Sequence, residues 1–126
     1  MNLYIQIGSS IVVFALISYS IGIITEQRIK NISRKVITFV TLGVILDITA
    51  TIFMIIGSEK GGFTLHGFIG YSSLMGMLID VILMWVRIVK YGINSPVPKP
   101  LHLYTRYAYI WWVLAFITGG LLVVFR

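Results

Sequence analysis

The chain has no cysteine and little charge, and each absence excludes a class of protein. Without cysteine it can form no disulfide and can offer no thiolate to an iron–sulfur cluster or a haem iron. Only 11% of its 126 residues are charged and 58% are hydrophobic. A soluble domain of this size needs far more charge to cover its surface, so the sequence indicates a membrane protein. No basic segment precedes the first apolar run, and we therefore expect no cleavable signal peptide.

Four apolar runs follow one another along the chain, each near the ~20 residues that a membrane helix requires. Because lipid cannot satisfy free backbone groups, we expect all four to be α-helices. The predicted fold is all-α, a single integral membrane domain in which four antiparallel helices run up and down as a bundle. The predicted helices cover about 3–24, 36–57, 63–89 and 101–125.

The basic residues are unevenly divided between the two ends of this bundle. Eight lie in or beside the loops after the first and third helices, and only Lys60 and Arg126 lie at the other end. Because cytoplasmic loops are enriched in Lys and Arg, we expect loops 25–35 and 90–100 to be cytoplasmic and both termini to lie outside. The net charge of +6 also suits anionic lipid headgroups. No basic soluble domain is present, and we expect no nucleic-acid binding.

His66 opens the third predicted helix and is followed by Gly67 and Gly70. An imidazole is costly in hydrocarbon without a partner, and histidine is a common ligand of haem iron. The glycines remove side chains beside it, so that a flat ligand could approach the helix backbone. This combination predicts a haem at the outer end of the bundle, and close helix packing is the alternative interpretation. Small residues at a similar depth on the first and fourth helices are Gly8, Gly119 and Gly120.

Several ligand arrangements follow from this prediction. Met54, on the outer half of the second helix, could be the second axial ligand, as could a second His66 across a dimer, or the iron could have no sixth ligand. His102 begins the fourth helix at the other membrane face, roughly 30 Å from His66, so the two cannot hold one iron within a chain. A solvated His102 is the simpler interpretation. A haem at the inner face would instead use His102, Arg106 and Tyr104.

Two acidic residues lie inside predicted membrane helices, where acidic side chains are rare and usually face the bundle interior. For Asp47 we expect Ser72 and Ser73 as hydrogen-bond partners. A proton-relay role or a contact with a haem-ligating histidine are the alternatives for Asp47. For Asp80 we expect a structural ion pair with Arg106.

Two segments of the third and fourth predicted helices stand out together. They are Leu65-His66-Gly67-Phe68-Ile69-Gly70-Tyr71, followed by Met75-Gly76-Met77, Asp80 and Trp85, and Leu101-His102-Leu103-Tyr104, followed by Trp112 and Gly119. In these segments the chain resembles the HsmA family of small haem-sensing membrane proteins, and its length and four-helix layout are similar throughout. The resemblance implies a bacterial cytoplasmic membrane protein that binds haem and helps the cell tolerate haem and oxidative stress.

The sequence therefore predicts a haem-binding membrane protein, with haem b as the expected cofactor and with lipids and a second copy of the chain as expected partners. The alternative is a small proton-coupled transporter that uses Asp47 and Asp80. A third hypothesis is a regulatory subunit of a larger membrane protein. No Ser-His-Asp set, zinc motif or phosphate-binding loop is present, so an ordinary enzyme is not expected, apart from peroxidase-like activity of a bound haem. The candidate cofactor contacts are His66, Gly67, Gly70, Tyr71, Asp47, Gly119, His102 and Arg106, and the candidate metal ligands are His66, Met54 and His102.

Overall fold

A computed structural model describes the backbone of residues 3–57 and 65–124 and the side chains of residues 3–57 and 67–119. Four long helices account for most of these residues. They are α1 (Leu3–Ile29), α2 (Arg34–Gly57), α3 (Leu65–Tyr91) and α4 (Lys99–Val124). The predicted all-α four-helix bundle is confirmed. The helix ends differ most for α1, which continues five residues beyond the predicted end at residue 24.

The helix ends follow from local sequence. Ser33 caps α2, because its Oγ accepts a hydrogen bond from the backbone N–H of Val36 at 3.2 Å. At the end of α1, Lys30 has a φ of 57° and its N–H donates to the carbonyl of Glu26. At the end of α3, Gly92 has a φ of 89° and makes the equivalent bond to Ile88. Both are left-handed C-terminal caps, a position that glycine occupies without strain.

The loops after α1 and α3 pair with each other. Strand β1 (Asn31–Ile32) lies antiparallel to strand β2 (Ser95–Pro96). The backbone N–H of Asn94 donates to the carbonyl of Ile32, and that of Val97 donates to the carbonyl of Lys30, both at 2.9 Å. Pro96 has no N–H to donate, and the pairing of these two short strands does not need a donor at that position. The pairing brings the two predicted cytoplasmic loops together at one end of the bundle.

We call this the basic end, because it carries eight of the chain's ten Lys and Arg residues. It is where α1 and α3 end and where α2 and α4 begin. These eight residues are Arg28, Lys30, Arg34, Lys35, Arg87, Lys90, Lys99 and Arg106.

The helices pack mainly in two pairs, α1 with α2 and α3 with α4. Glycines allow α1 and α2 to approach closely. A Cβ placed on Gly22 would lie 2.8 Å from Cγ2 of Val40, and one placed on Gly43 would collide with the ring of Tyr19. Gly43 therefore makes the room in which the Tyr19 ring is buried.

The outer surface of the bundle is apolar, as a lipid-facing surface must be. Large hydrophobic side chains such as Phe14, Ile52 and Ile82 are more than half exposed. Three helices are long and apolar enough to cross a membrane: α1, α2 and the stretch Gly67–Tyr91 of α3. The fourth predicted span, 101–125, lies partly outside the residues whose side chains the structure describes.

Candidate functional site: acidic groups buried in the bundle

The structure buries most of the few acidic residues that the chain has. The sequence contains four acidic residues, and three of them have almost no exposed surface: Glu26 at 0%, Asp47 at 5% and Asp80 at 0%. Glu59, the fourth, lies outside the described residues. Each of the three is on a different helix. Ionisable groups placed inside membrane bundles are costly and commonly mark functional sites.

Asp47 joins three helices at the middle of the bundle. The hydroxyl of Tyr19 on α1 donates to Oδ2 of Asp47 at 3.0 Å, and the indole N–H of Trp112 on α4 donates to the same oxygen at 2.7 Å. The two rings meet edge to face, with centroids 4.9 Å apart. Both donors are themselves buried. Asp47 is therefore held rigidly between α1 and α4.

The expected serine partners of Asp47 are wrong. Ser72 donates to the carbonyl of Ile69 and lies 2.9 Å from the indole N–H of Trp111, which donates to it. Ser73 donates to the carbonyl of Gly70. Serine in a helix commonly bonds to a carbonyl of the preceding turn, and the large side chains of Tyr19 and Trp112 reach Asp47 from the two other helices.

Asp80 accepts a hydrogen bond from α4. Oγ1 of Thr105 donates to Oδ1 of Asp80 at 2.5 Å, whereas Oδ2 has no hydrogen-bond partner in the described part of the chain. The predicted ion pair between Asp80 and Arg106 is wrong. Successive helical residues point about 100° apart, so that Thr105 faces Asp80 while Arg106 is exposed. Arg106 instead donates through Nε to the side-chain oxygen of Gln27, at 2.9 Å.

Glu26 and His102 form a buried ion-pair contact near the basic end. Oε1 of Glu26 lies 2.9 Å from Nδ1 of His102, and Nε2 of Gln27 donates to Oε2 of Glu26 at 2.6 Å. Nη2 of Arg106 lies 3.4 Å from the other imidazole nitrogen. His102 is only 9% exposed, so the interpretation of a solvated histidine is wrong. Both imidazole nitrogens therefore have a polar side chain of the bundle as a neighbour.

Helix α4 supplies a partner to each of these three acids. His102, Thr105 and Trp112 of α4 contact Glu26, Asp80 and Asp47 in turn. Counted from Lys99 at 1.5 Å per residue, these partners lie roughly 5, 9 and 20 Å along the helix. The three acids are thus stacked from the basic end to the middle of the bundle.

The outer residues predicted to surround a haem are arranged differently on different helices. On α1, a Cβ at Gly8 would lie 2.9 Å from Cγ of Met54 and 3.0 Å from the carbonyl oxygen of Ala50. Gly8 and Met54 therefore serve the packing of α1 on α2, and α2 fills the space that a ligand would need there. Gly67, Tyr71 and Gly119 are partly exposed.

Gly70 differs from Gly8. No atom of the described chain lies within 4 Å of the position that its Cβ would take. Gly70 shares a helix face with Ser73 and Met77, both of which are buried. Within the described residues, the position beside Gly70 therefore has no neighbour on the side of α3 that Ser73 and Met77 share. The backbone of His66 lies one helical turn earlier, and its side chain is outside the described residues, as are the side chain of Lys60 and that of Arg126.

Comparison of the chain with protein-family models, curated proteins and solved structures gives no match. The resemblance to the HsmA family stays a prediction from the sequence. Within the described residues, no group of three or more His, Cys, Asp and Glu side chains could hold a metal ion.

Sequence reasoning missed Glu26, Tyr19 and Thr105. The first predicted helix ended before Glu26, which placed that residue in a solvated loop. A signal was present, because Tyr19, Gly22, Ile23 and Glu26 follow the spacing of one helix face. All four are buried in α1.

Proposed function

We propose that this protein binds haem within the membrane, at the end of the bundle opposite the basic end, and thereby limits the toxicity of free haem. The observation that carries the proposal is Gly70 on α3, because among the described residues no atom lies within 4 Å of the position that its Cβ would take. A helix position that lacks a side chain, and that no described residue covers, suits the close approach of a flat apolar ligand. The resemblance to a haem-sensing family supports the same conclusion.

His66 is the proposed axial ligand. It precedes Gly70 by four residues in α3, a spacing that places both on one helix face. His102 is the poorer candidate, because Glu26 engages one of its nitrogens and the guanidinium of Arg106 lies beside the other. A bound haem would supply an iron centre able to change oxidation state. The helices would contribute an apolar surround that keeps water from it.

The two histidines provide a matched experiment. Full-length protein in detergent is titrated with haem, and binding is followed by the Soret absorption band. We expect H66A to weaken binding at least tenfold, whereas H102Q, which removes the other imidazole, leaves the affinity within a factor of about two. Retention of wild-type affinity and spectrum by H66A would overturn the ligand assignment. Loss of binding in H102Q alone would move the site to the basic end.

A second candidate function, proton-coupled transport, is favoured by the stack of buried acids. Glu26, Asp80 and Asp47 occupy successive depths, and chains of acidic groups and histidines act as proton relays in membrane transporters. This candidate needs no cofactor, and the protein would be colourless. The two candidates are separable because they depend on different residues.

Proton movement can be measured directly in liposomes that contain the protein and an enclosed pH-sensitive dye. An applied membrane potential, negative inside, should drive protons inward and acidify the liposome interior. D80N and D47N should slow this acidification at least tenfold, because each removes a titratable group. Glu59→Gln is the control, since it removes the remaining acidic residue. Acidification no faster than in empty liposomes would exclude this candidate.

A further inference from the structure

At the basic end, α3 and the start of α4 enclose a cleft of about 420 Å³. It is lined by Leu83 and Val86 of α3 and Leu101 of α4, and also by the basic residues Arg87 and Lys90. Lys90 lies seven residues beyond Leu83 on α3, which corresponds to roughly 10 Å along the helix axis. The cleft is therefore apolar toward the middle of the bundle and positively charged toward its end.

The position of Arg87 is fixed by two contacts. Its Nε donates to the carbonyl oxygen of Pro96 in β2 at 3.1 Å, and its guanidinium lies 4.4 Å from the centre of the Tyr91 ring. The hydrogen bond uses Nε and not the two terminal Nη groups, which are the atoms that bind phosphate oxygens in a fork. A cation held in place in this way loses little freedom on binding an anion.

We propose that this cleft binds an anionic phospholipid. The phosphate would lie at Arg87 and Lys90, and the upper part of one acyl chain would lie along Leu83, Val86 and Leu101. The polarity gradient matches a lipid of the leaflet next to the basic end, with its headgroup at the membrane surface. Basic pockets between helices at the cytoplasmic face are a recognised site for anionic lipid headgroups. This inference is independent of haem binding.

The experiment compares lipids that differ in charge. Purified full-length protein in neutral detergent is mixed with equal amounts of phosphatidylglycerol and phosphatidylcholine carrying the same acyl chains, and the retained lipid is counted by native mass spectrometry. We expect the wild-type protein to retain phosphatidylglycerol preferentially. The double variant R87Q/K90Q should lose about 30-fold of this preference, since each basic residue near a membrane surface contributes about fivefold.

A matched control removes the same charge from the same end. Arg34 and Lys35 are exposed at the start of α2 and are not part of the cleft, so R34Q/K35Q should keep the preference within a factor of about three. An equal loss in both double variants would show a diffuse charge effect and overturn the proposal. Circular dichroism checks that both variants remain helical, and the single variant K90Q, at an exposed position, provides a second test.

Two further arms distinguish other ligands. Inorganic phosphate at millimolar concentration should leave the retained lipid unchanged, because it makes no contact with the apolar residues of the cleft. Displacement of the lipid by phosphate would identify a simple anion site. Displacement by haem, with loss of haem retention in R87Q/K90Q, would show that the cleft holds propionates. Either result would overturn the proposal.

Discussion

The imidazole of His102 lies 2.9 Å from the carboxylate of Glu26, and this contact ties the last turns of α1 to the first turn of α4. Both side chains are buried, and replacing either one would leave the other without this partner. Glu26 lies in the part of α1 that continues beyond the predicted end at residue 24. Gln27, the next residue, strengthens the connection by donating to the carbonyl of His102 at 3.1 Å.

The coupling between Glu26 and His102 can be measured with a double-mutant cycle. We expect E26Q and H102Q each to lower the free energy of unfolding. The loss in the double variant should be smaller than the sum of the two single losses by at least about 1 kcal/mol. Unfolding in mixed micelles with increasing denaturing detergent provides these free energies. Additivity within about 0.3 kcal/mol would contradict a direct interaction.

Asp47 should stabilise the bundle as a hydrogen-bond acceptor. D47L removes the acceptor and leaves the buried Tyr19 hydroxyl and Trp112 indole without a partner, which should cost about 1–3 kcal/mol for each donor. D47N keeps an oxygen in the same place and should retain most of the stability. If unfolding measurements give D47N and D47L the same stability, the acceptor role is wrong.

Thr105 should affect Asp80 through its hydroxyl alone. T105V keeps the shape of the side chain but leaves Asp80 without its donor, and we expect a loss of about 1–3 kcal/mol in the free energy of unfolding. T105S restores a hydroxyl and should recover most of that loss. A T105V protein as stable as T105S would contradict this assignment.

Two glycines that look alike in the sequence should respond oppositely to alanine. At Gly43 a methyl group would collide with the Tyr19 ring, and G43A should destabilise the protein by about 1–3 kcal/mol. At Gly70 no described neighbour lies within 4 Å, and G70A should be neutral or stabilising by up to about 1 kcal/mol, because alanine favours helix. Thermal unfolding of the two variants in detergent provides the comparison. Equal destabilisation would show that the space beside Gly70 is filled.

The absence of cysteine allows a clean test of orientation. Single cysteines at Lys35 and Asn94 lie near the paired loops of the basic end, which the positive-inside rule predicts to be cytoplasmic. In intact cells, neither K35C nor N94C should react with a membrane-impermeant maleimide until the cells are opened. Labelling of both in intact cells would reverse the orientation, and labelling of only one would contradict the pairing of β1 with β2.

The helix number and the interior position of Asp47 could be predicted because both depend on properties of the chain itself. Long apolar runs require helices in lipid, and an acidic residue in such a run is placed inward by its cost of solvation. The end of α1 was harder to predict, because α1 continues beyond the apolar segment into charged sequence. Apolar length alone does not indicate that extension.

The partners of the acids could not be predicted from position in the sequence. Arg106 and Thr105 are neighbours in the sequence. The rotation of α4 about its own axis decides which of the two faces Asp80. In the same way, Trp112 reaches Asp47 only because α4 turns that face inward. The rotation of a helix about its axis is fixed by packing among all four helices. It cannot be predicted from the spacing of residues within one helix.

The central claim is tested most directly by the absorption spectrum of the wild-type protein purified from cells supplied with haem. The proposal predicts a Soret band that remains with the protein through size-exclusion chromatography and that H66A lacks. A colourless protein that also fails to bind added haem would contradict it.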